Sequence, residues 1–270
     1  MLLRKLVVSM GAALGLAVAS TSPAAAITGG SPATTGTAPY QVSVITQGQF
    51  GRSHACGGFL LDANKVVTAA HCVDGQDAGS LQVEYGGVNR NHLPHTRWVK
   101  AVHGYPGFNA ETLAGDIAVL TLRLPVTESA TVQFAPLATT DPAAGAVAKV
   151  TGWGRTQADA TSLPTLLHTV QLPITTPAAC EAAYSGVNLT LGGDEGGPLE
   201  GLAPALHTTS MLCAGPAAGG KGICFGDSGG PAVVNGVVVG IASWARGCGE
   251  AGSPSVFTSA AHYRNWIHSA

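Results

Sequence analysis

Gly226-Asp227-Ser228-Gly229-Gly230-Pro231-Ala232-Val233-Val234-Asn235-Gly236-Val237-Val238-Val239-Gly240-Ile241-Ala242-Ser243-Trp244 is the stretch that sets the fold class and locates the chemistry. Its middle is a hairpin signal. Asn235 and Gly236 tolerate the positive φ that a tight antiparallel turn requires, and valine-rich runs flank them on both sides. Ala232 to Val234 and Val237 to Trp244 therefore read as paired strands. The same pattern of short apolar or alternating runs broken by Gly, Pro, Asn or Asp extends upstream. It covers Gln41 to Ile45, Phe59 to Leu61, Lys65 to Ala69, Leu81 to Tyr85, Trp98 to His103, Asp116 to Leu122, Val147 to Gly152 and Thr169 to Pro173. Downstream it includes Ser255 to Thr258. With 10% charged residues and 37 glycines, the chain lacks the charge that the outer faces of long amphipathic helices need. The expected class is all-β. Only Ser259 to Ala270 departs from it, with Tyr263, Trp266 and Ile267 at helical spacing.

The amino terminus has a different origin. Arg4 and Lys5 precede an uncharged apolar run from Leu6 to Val18 that ends in small residues, so 1–26 reads as an export signal. That run is short for a membrane-spanning helix, and no later stretch is longer. The expectation is a secreted protein without a membrane anchor, whose working part is one domain, 27–270. A cut after Ala19, leaving 20–26 as a pro-segment, is the alternative. Loss of Arg4 and Lys5 makes the formal charge more negative than the −2 of the whole chain, which argues against nucleic acid as a partner. Six cysteines, Cys56, Cys72, Cys180, Cys213, Cys224 and Cys248, in an exported chain imply up to three disulfides, and spacing alone leaves fifteen connectivities open. No CxxC pair or Cys/His cluster suggests zinc. The Gly- and Pro-rich stretch 186–206 reads as a surface loop and contains a glycosylation sequon at Asn188.

Three motifs carry chemistry. A serine hydroxyl is a poor nucleophile unless a base takes its proton and donors receive the oxyanion formed on attack at a carbonyl. Ser228 sits among glycines that let the backbone turn sharply and present N–H groups. Val66-Val67-Thr68-Ala69-Ala70-His71-Cys72 places a histidine at the end of an apolar strand, anchored by the next residue. Gly115-Asp116-Ile117-Ala118 places an acid at the mouth of another apolar strand, where burial demands a partner. An imidazole N–H would satisfy it. His54, His103 and His168 lack comparable surroundings and read as structural or surface residues.

In the order His, Asp, Ser, and together with Ile27-Thr28-Gly29-Gly30, Cys56-Gly57-Gly58, Gly152-Trp153-Gly154 and Ser243-Trp244, these motifs resemble the trypsin/chymotrypsin family of serine proteases from Ile27 to about Ile267. The resemblance implies two packed six-stranded antiparallel β-barrels with a short C-terminal helix and a cleft between the barrels. It also implies a secreted monomeric endopeptidase acting on proteins or peptides, with proteinaceous inhibitors as further partners. His71, Asp116 and Ser228 would be the catalytic triad, and the N–H groups of Gly226 and Ser228 the oxyanion hole. The α-amino group of Ile27, freed by cleavage after Ala24-Ala25-Ala26, would pair with Asp227. Disulfides would join Cys56 to Cys72, Cys180 to Cys213 and Cys224 to Cys248. Substrate would lie against Phe225 and along Ser243, Trp244 and Ala245. At the pocket floor, where trypsins carry Asp, stands Gly222; Ala245 and Ser255 match the two wall positions. The chain departs from trypsin there, and the implied P1 preference is small to medium apolar, with Glu250 the nearby acid that could oppose it. No cofactor and no metal is expected, since the acids of the family's calcium loop are missing between Gly86 and His103. A protease-fold binding protein without catalysis is the alternative, but such proteins usually replace a triad member or an oxyanion glycine, and all are present.

Overall fold

The computed structural model describes residues 27–48, 51–185 and 206–270. The export segment 1–26, the sequon at Asn188 and nearly all of the 186–206 stretch lie outside the described residues. Among the described residues thirteen strands and two α-helices follow one another. The first half of the chain holds β1 (Ser31–Pro32), β2 (Gln41–Gly48), β3 (Gly51–Leu60), β4 (Lys65–Thr68), β5 (Gln82–Tyr85), β6 (His95–Gly104) and β7 (Ala118–Leu122). The second holds β8 (Val147–Gly152), β9 (His168–Pro173), α1 (Pro177–Tyr184), β10 (Met211–Ala214), β11 (Pro231–Val234), β12 (Val237–Trp244), β13 (Ser255–Ser259) and α2 (Ala260–Ser269).

Strands β2 to β7 form a closed barrel in the order β2-β3-β4-β7-β6-β5, all antiparallel. Its interior is filled by Val42, Val44, Leu60, Val66, Val83 and Leu120. The second lobe keeps the expected two-lobed β architecture as a half-barrel sheet. It is a seven-stranded sheet in the order β1-β9-β8-β11-β12-β13-β10, in which β1 crosses over from the first half of the chain. The residue that follows β9 meets the edge strand β10 through a single bridge, Ile174 with Ala214, so that the six strands β9-β8-β11-β12-β13-β10 curl round on one another while β1 lies outside them. The ladder stays short because the chain turns at once into α1, whose N-cap Thr176 accepts a hydrogen bond from Ala179 N–H and whose first residue is Pro177. Asn235 and Gly236 have φ of 49° and 83°, so the hairpin between β11 and β12 is the tight turn the dipeptide predicts.

The lobes share a core, and this sets the site between them. Phe59, Val67, Ile117 and Val119 from the first lobe pack in one cluster with Trp153, Leu167, Val233 and Ile241 from the second. Helix α2 joins that cluster through Ala260, Tyr263 and Ile267. Tyr105 stacks edge-on against both Tyr263 and Trp266. Each fully buried large side chain in this seam contributes about 1.5–3 kcal/mol, so the cleft is a seam between two parts of one core.

Candidate active site

His71 lies on a 3₁₀ turn, Ala70–Cys72, immediately after β4, and Asp116 stands just before β7, the neighbour of β4 in the barrel. Pairing of those two strands brings the side chains together. Asp116 has no solvent exposure, and its carboxylate holds the histidine at two points. His71 backbone N–H donates to Oδ1 at 2.9 Å, and Nδ1–H donates to Oδ2 at 2.8 Å. From the other lobe, Ser243 Oγ donates to Oδ2 at 2.5 Å, and Thr258 Oγ1 donates to the Asp116 carbonyl at 2.9 Å. Burial acts to raise the Asp116 pKa, but the His71 charge and these donors outweigh it and hold it below the ordinary value. Burial likewise acts to lower the His71 pKa, and the charge and hydrogen bond of Asp116 outweigh it and raise it. The pair fixes Nδ1 as the protonated nitrogen and leaves Nε2 free to take a proton.

Ser228 and His71 line one cavity of about 180 Å³. No hydrogen bond joins Ser228 Oγ to His71 Nε2, which lies 3.7 Å from Cys72 Sγ. Such contacts are often loose before substrate binds. Cys72 is bonded to Cys56, Cys180 to Cys213 and Cys224 to Cys248, the pairings that the resemblance implies. Among the described residues one group of potential metal ligands falls together, Cys56, His71 and Cys72, and its two sulfurs are consumed by their own disulfide.

The turn that carries Ser228 is held from several directions. Gly226 and Gly229 adopt φ of +94° and +78°, and a Cβ at Gly229 would collide with Thr68 and Gly57. Ser228 carbonyl accepts from Gly57 N–H at 2.8 Å, and Gly229 N–H donates to Ala242 at 2.7 Å. The N–H groups of Gly226 and Ser228 donate to nothing among the described residues, so both are available to an oxyanion. His54, which reads from sequence as structural or surface, is buried here. It accepts from Ser43 Oγ at Nδ1, 2.7 Å, and donates from Nε2 to the Gly226 carbonyl at 2.9 Å. Burial pushes its pKa down to about 4, with the Arg90 charge adding to the effect, so it stays neutral and pins the peptide next to the serine. Only its place two residues before Cys56, in the strand paired with β2, hints at this.

Asp227 is also buried. Its carboxylate accepts from Gly154 N–H at 2.8 Å and Cys224 N–H at 2.9 Å. Burial raises its pKa to about 7 against those two hydrogen bonds. Ile27 has no solvent exposure and packs in the cluster that contains Ile223. Thr28 bridges to Gly222. Ile27 and Asp227 share no hydrogen bond in this chain, in which Ala26 precedes Ile27 and its nitrogen is an amide.

The cavity wall differs in part from expectation. Phe225, Ser243, Trp244 and Ala245 line it, together with Leu113, Ile223 and Gly247. Gly222 and Ser255 are not among the lining residues. A Cβ on Gly222 would stand 3.0 Å from both Gly249 Cα and Ser255 Oγ, and Ser255 Oγ is occupied in accepting Ile223 N–H at 3.0 Å. A side chain at position 222 would therefore press on the Gly249 backbone and the Ser255 hydroxyl. Ile223, next to the expected floor residue, is among the lining residues.

No helix among the described residues is long and apolar enough to cross a membrane. The Trypsin family model matches residues 27–267. The chain is 36% identical over 241 residues to trypsin alpha of Drosophila erecta, covering 89% of this chain and 86% of the relative. It is 35% identical to trypsin delta of Drosophila melanogaster, covering 89% and 87%. With trypsin Blo t 3 of Blomia tropicalis it shares 36% over 245 residues, covering 89% and 84%. With its closed first barrel, its shared core and these relatives, the chain belongs to the trypsin family and is a serine endopeptidase.

Proposed function

We propose that Ser228 is the nucleophile, His71 its general base and acid, and Asp116 the group that orients His71 and stabilises its cation. The two-point grip of Asp116 on His71, beside Ser228 in one cavity, carries this reading. Ser228 Oγ attacks the peptide carbonyl, and His71 Nε2 takes its proton and passes it to the leaving amine. The N–H groups of Gly226 and Ser228 hold the oxyanion, and water repeats the sequence on the acyl-enzyme. The P1 preference is for small to medium apolar residues such as Ala, Val, Leu or Met. Leu113, Ile223, Trp244 and Ala245 supply apolar wall, and no carboxylate is among the lining residues. An Arg or Lys head would enter without a charge partner, and its desolvation would oppose binding. Comparison of kcat/KM for matched tetrapeptide anilides ending in Ala, Leu, Phe and Arg tests this. The expected order has Leu or Ala above Arg. A preference for Arg would reject the apolar pocket and point to Glu250, which folds over Gly247 at the cavity rim.

The same reading includes export, action as a secreted monomer, and maturation by a cut before Ile27. Ala at −3 and −1 suits signal peptidase. The freed α-amino group would pair with Asp227, whose buried carboxylate has two backbone donors among the described residues. Loss of one partner of such a pair costs about 3–5 kcal/mol. Protein carrying one extra residue ahead of Ile27 is therefore expected to be secreted yet to lose about 100-fold or more in kcat/KM. N-terminal sequencing that found active enzyme starting elsewhere would reject the cut.

A further inference from the structure

Phe225 is 45% exposed, and among the described residues it is the one exposed large hydrophobic side chain that also lines the cavity. Over its ring lies Arg155, with Cζ 5.2 Å from the centroid, and Arg155 backbone N–H donates to the Phe225 carbonyl at 2.7 Å. Backbone pairing and cation–π attraction thus hold the two as a unit. The described residues contain two ion pairs, Arg52 with Glu84 and His71 with Asp116, so among those residues this guanidinium has no acid against it. Asp159, on the same loop, does not reach it.

The position of the pair relative to the scissile bond follows from packing. A Cβ on Gly226 would lie 3.2 Å from Gly154 Cα, so Arg155 emerges beside the oxyanion glycine. Ser243 to Ala245 form the other wall of the cavity. A substrate whose acyl side runs along that wall, with its carbonyl at Gly226, must leave across Phe225 and Arg155. In an extended chain, successive side chains point to opposite sides. P1 enters the cavity, P1′ points away, and P2′ returns to the side of Phe225.

We propose that Phe225 and Arg155 form a P2′ subsite for an acidic side chain, its methylenes on the ring and its carboxylate on the guanidinium, a geometry to which arginine is suited. This rests on the peptidase reading above. It is tested on secreted enzyme with internally quenched peptides identical except for Glu, Gln or Lys at P2′. The Glu peptide is expected to exceed the Gln peptide by about threefold in kcat/KM, as for a partly exposed ion pair, and to exceed the Lys peptide by more. That ratio should shrink as salt is raised, fall to near one in Arg155→Gln and be partly kept in Arg155→Lys. Equal rates for Glu and Gln, or a Glu preference that survives Arg155→Gln, would overturn the subsite. Failure to cleave any of the peptides would count against the peptidase reading, and the subsite would then be judged by binding. On Ser228→Ala, fluorescein-labelled Glu peptide should bind more tightly than Gln peptide by a similar factor, and equal Kd values would overturn it.

Discussion

Asp116 and Asp227 are both sealed from solvent, at 0% and 1% exposure, yet their carboxyls shift in opposite directions. Burial pushes each upward. Asp116 offsets it with a histidine that can carry charge, that histidine's backbone N–H and a serine hydroxyl. Asp227 has two backbone N–H groups and no cation within ion-pair distance among the described residues, and its pKa stands at about 7. Depth is therefore not what sets the charge state; the partners are. One carboxylate has a partner able to carry positive charge, and the other has none among the described residues.

The comparison breaks most visibly at Asp116. Asp116→Asn keeps the shape but removes the charge, and kcat is expected to fall about 10⁴-fold. His71 would lose the influence that raises its pKa, so the acid limb of the kcat/KM profile should move to lower pH. A pH–rate series checks both, and a loss of under tenfold would show that the charge at Asp116 is not used.

The next effect is on stability and belongs to Asp227. Between its ordinary value of 3.8 and about 7 it is protonated in the fold and ionised in the unfolded chain. The fold then binds more protons, so the stability of the chain with Ala26 attached falls as pH rises through this window, by on the order of a few kcal/mol. His54 acts oppositely. Its pKa drops from 6.5 to about 4, so its share of stability is present above 6.5 and is lost as pH falls towards 4. The diagnostic is thus the difference between two forms. Urea denaturation from pH 4 to 8 should show the form starting at Ile27 gaining on the uncut form as pH rises, and parallel curves would mean that Asp227 acquires no cation on cutting.

A smaller change moves Asp116 towards the condition of Asp227. Ser243→Ala removes the donor from the second lobe, and a hydrogen bond to a charged group contributes about 1.5–3 kcal/mol. Stability at pH 7 should fall by about that amount with His71 still in place. A loss below about 0.5 kcal/mol, read by the same denaturation, would mean that His71 alone suffices for the carboxylate.

Signals local in sequence were legible before the fold was known. Asn235-Gly236 announced its hairpin because both residues tolerate the left-handed region. Most of β3, Gly51 to Gly58, gave no such signal, since its polar and glycine residues lack alternation and only pairing with β2 makes them a strand. Helix α1 is absent from the sequence reading, although Thr176 and Pro177 form the cap and first-turn pair that could have marked it. Met211 to Ala214 is too short for any pattern to stand out.

By itself the sequence determined the all-β class, the three chemistry-bearing motifs and their order, because each is written in residues that are neighbours along the chain. Only the tertiary structure decided that the residue after β9 meets β10 through a single bridge and that Ile223 lines the cavity. It also decided that His54 pins the carbonyl of Gly226, a residue 172 positions away, and that Asp116 and Asp227 differ in charge while sharing burial. Those properties depend on which distant groups come within hydrogen-bonding reach, and on which way side chains point once two lobes share a core. Neither is encoded in any local run of residues.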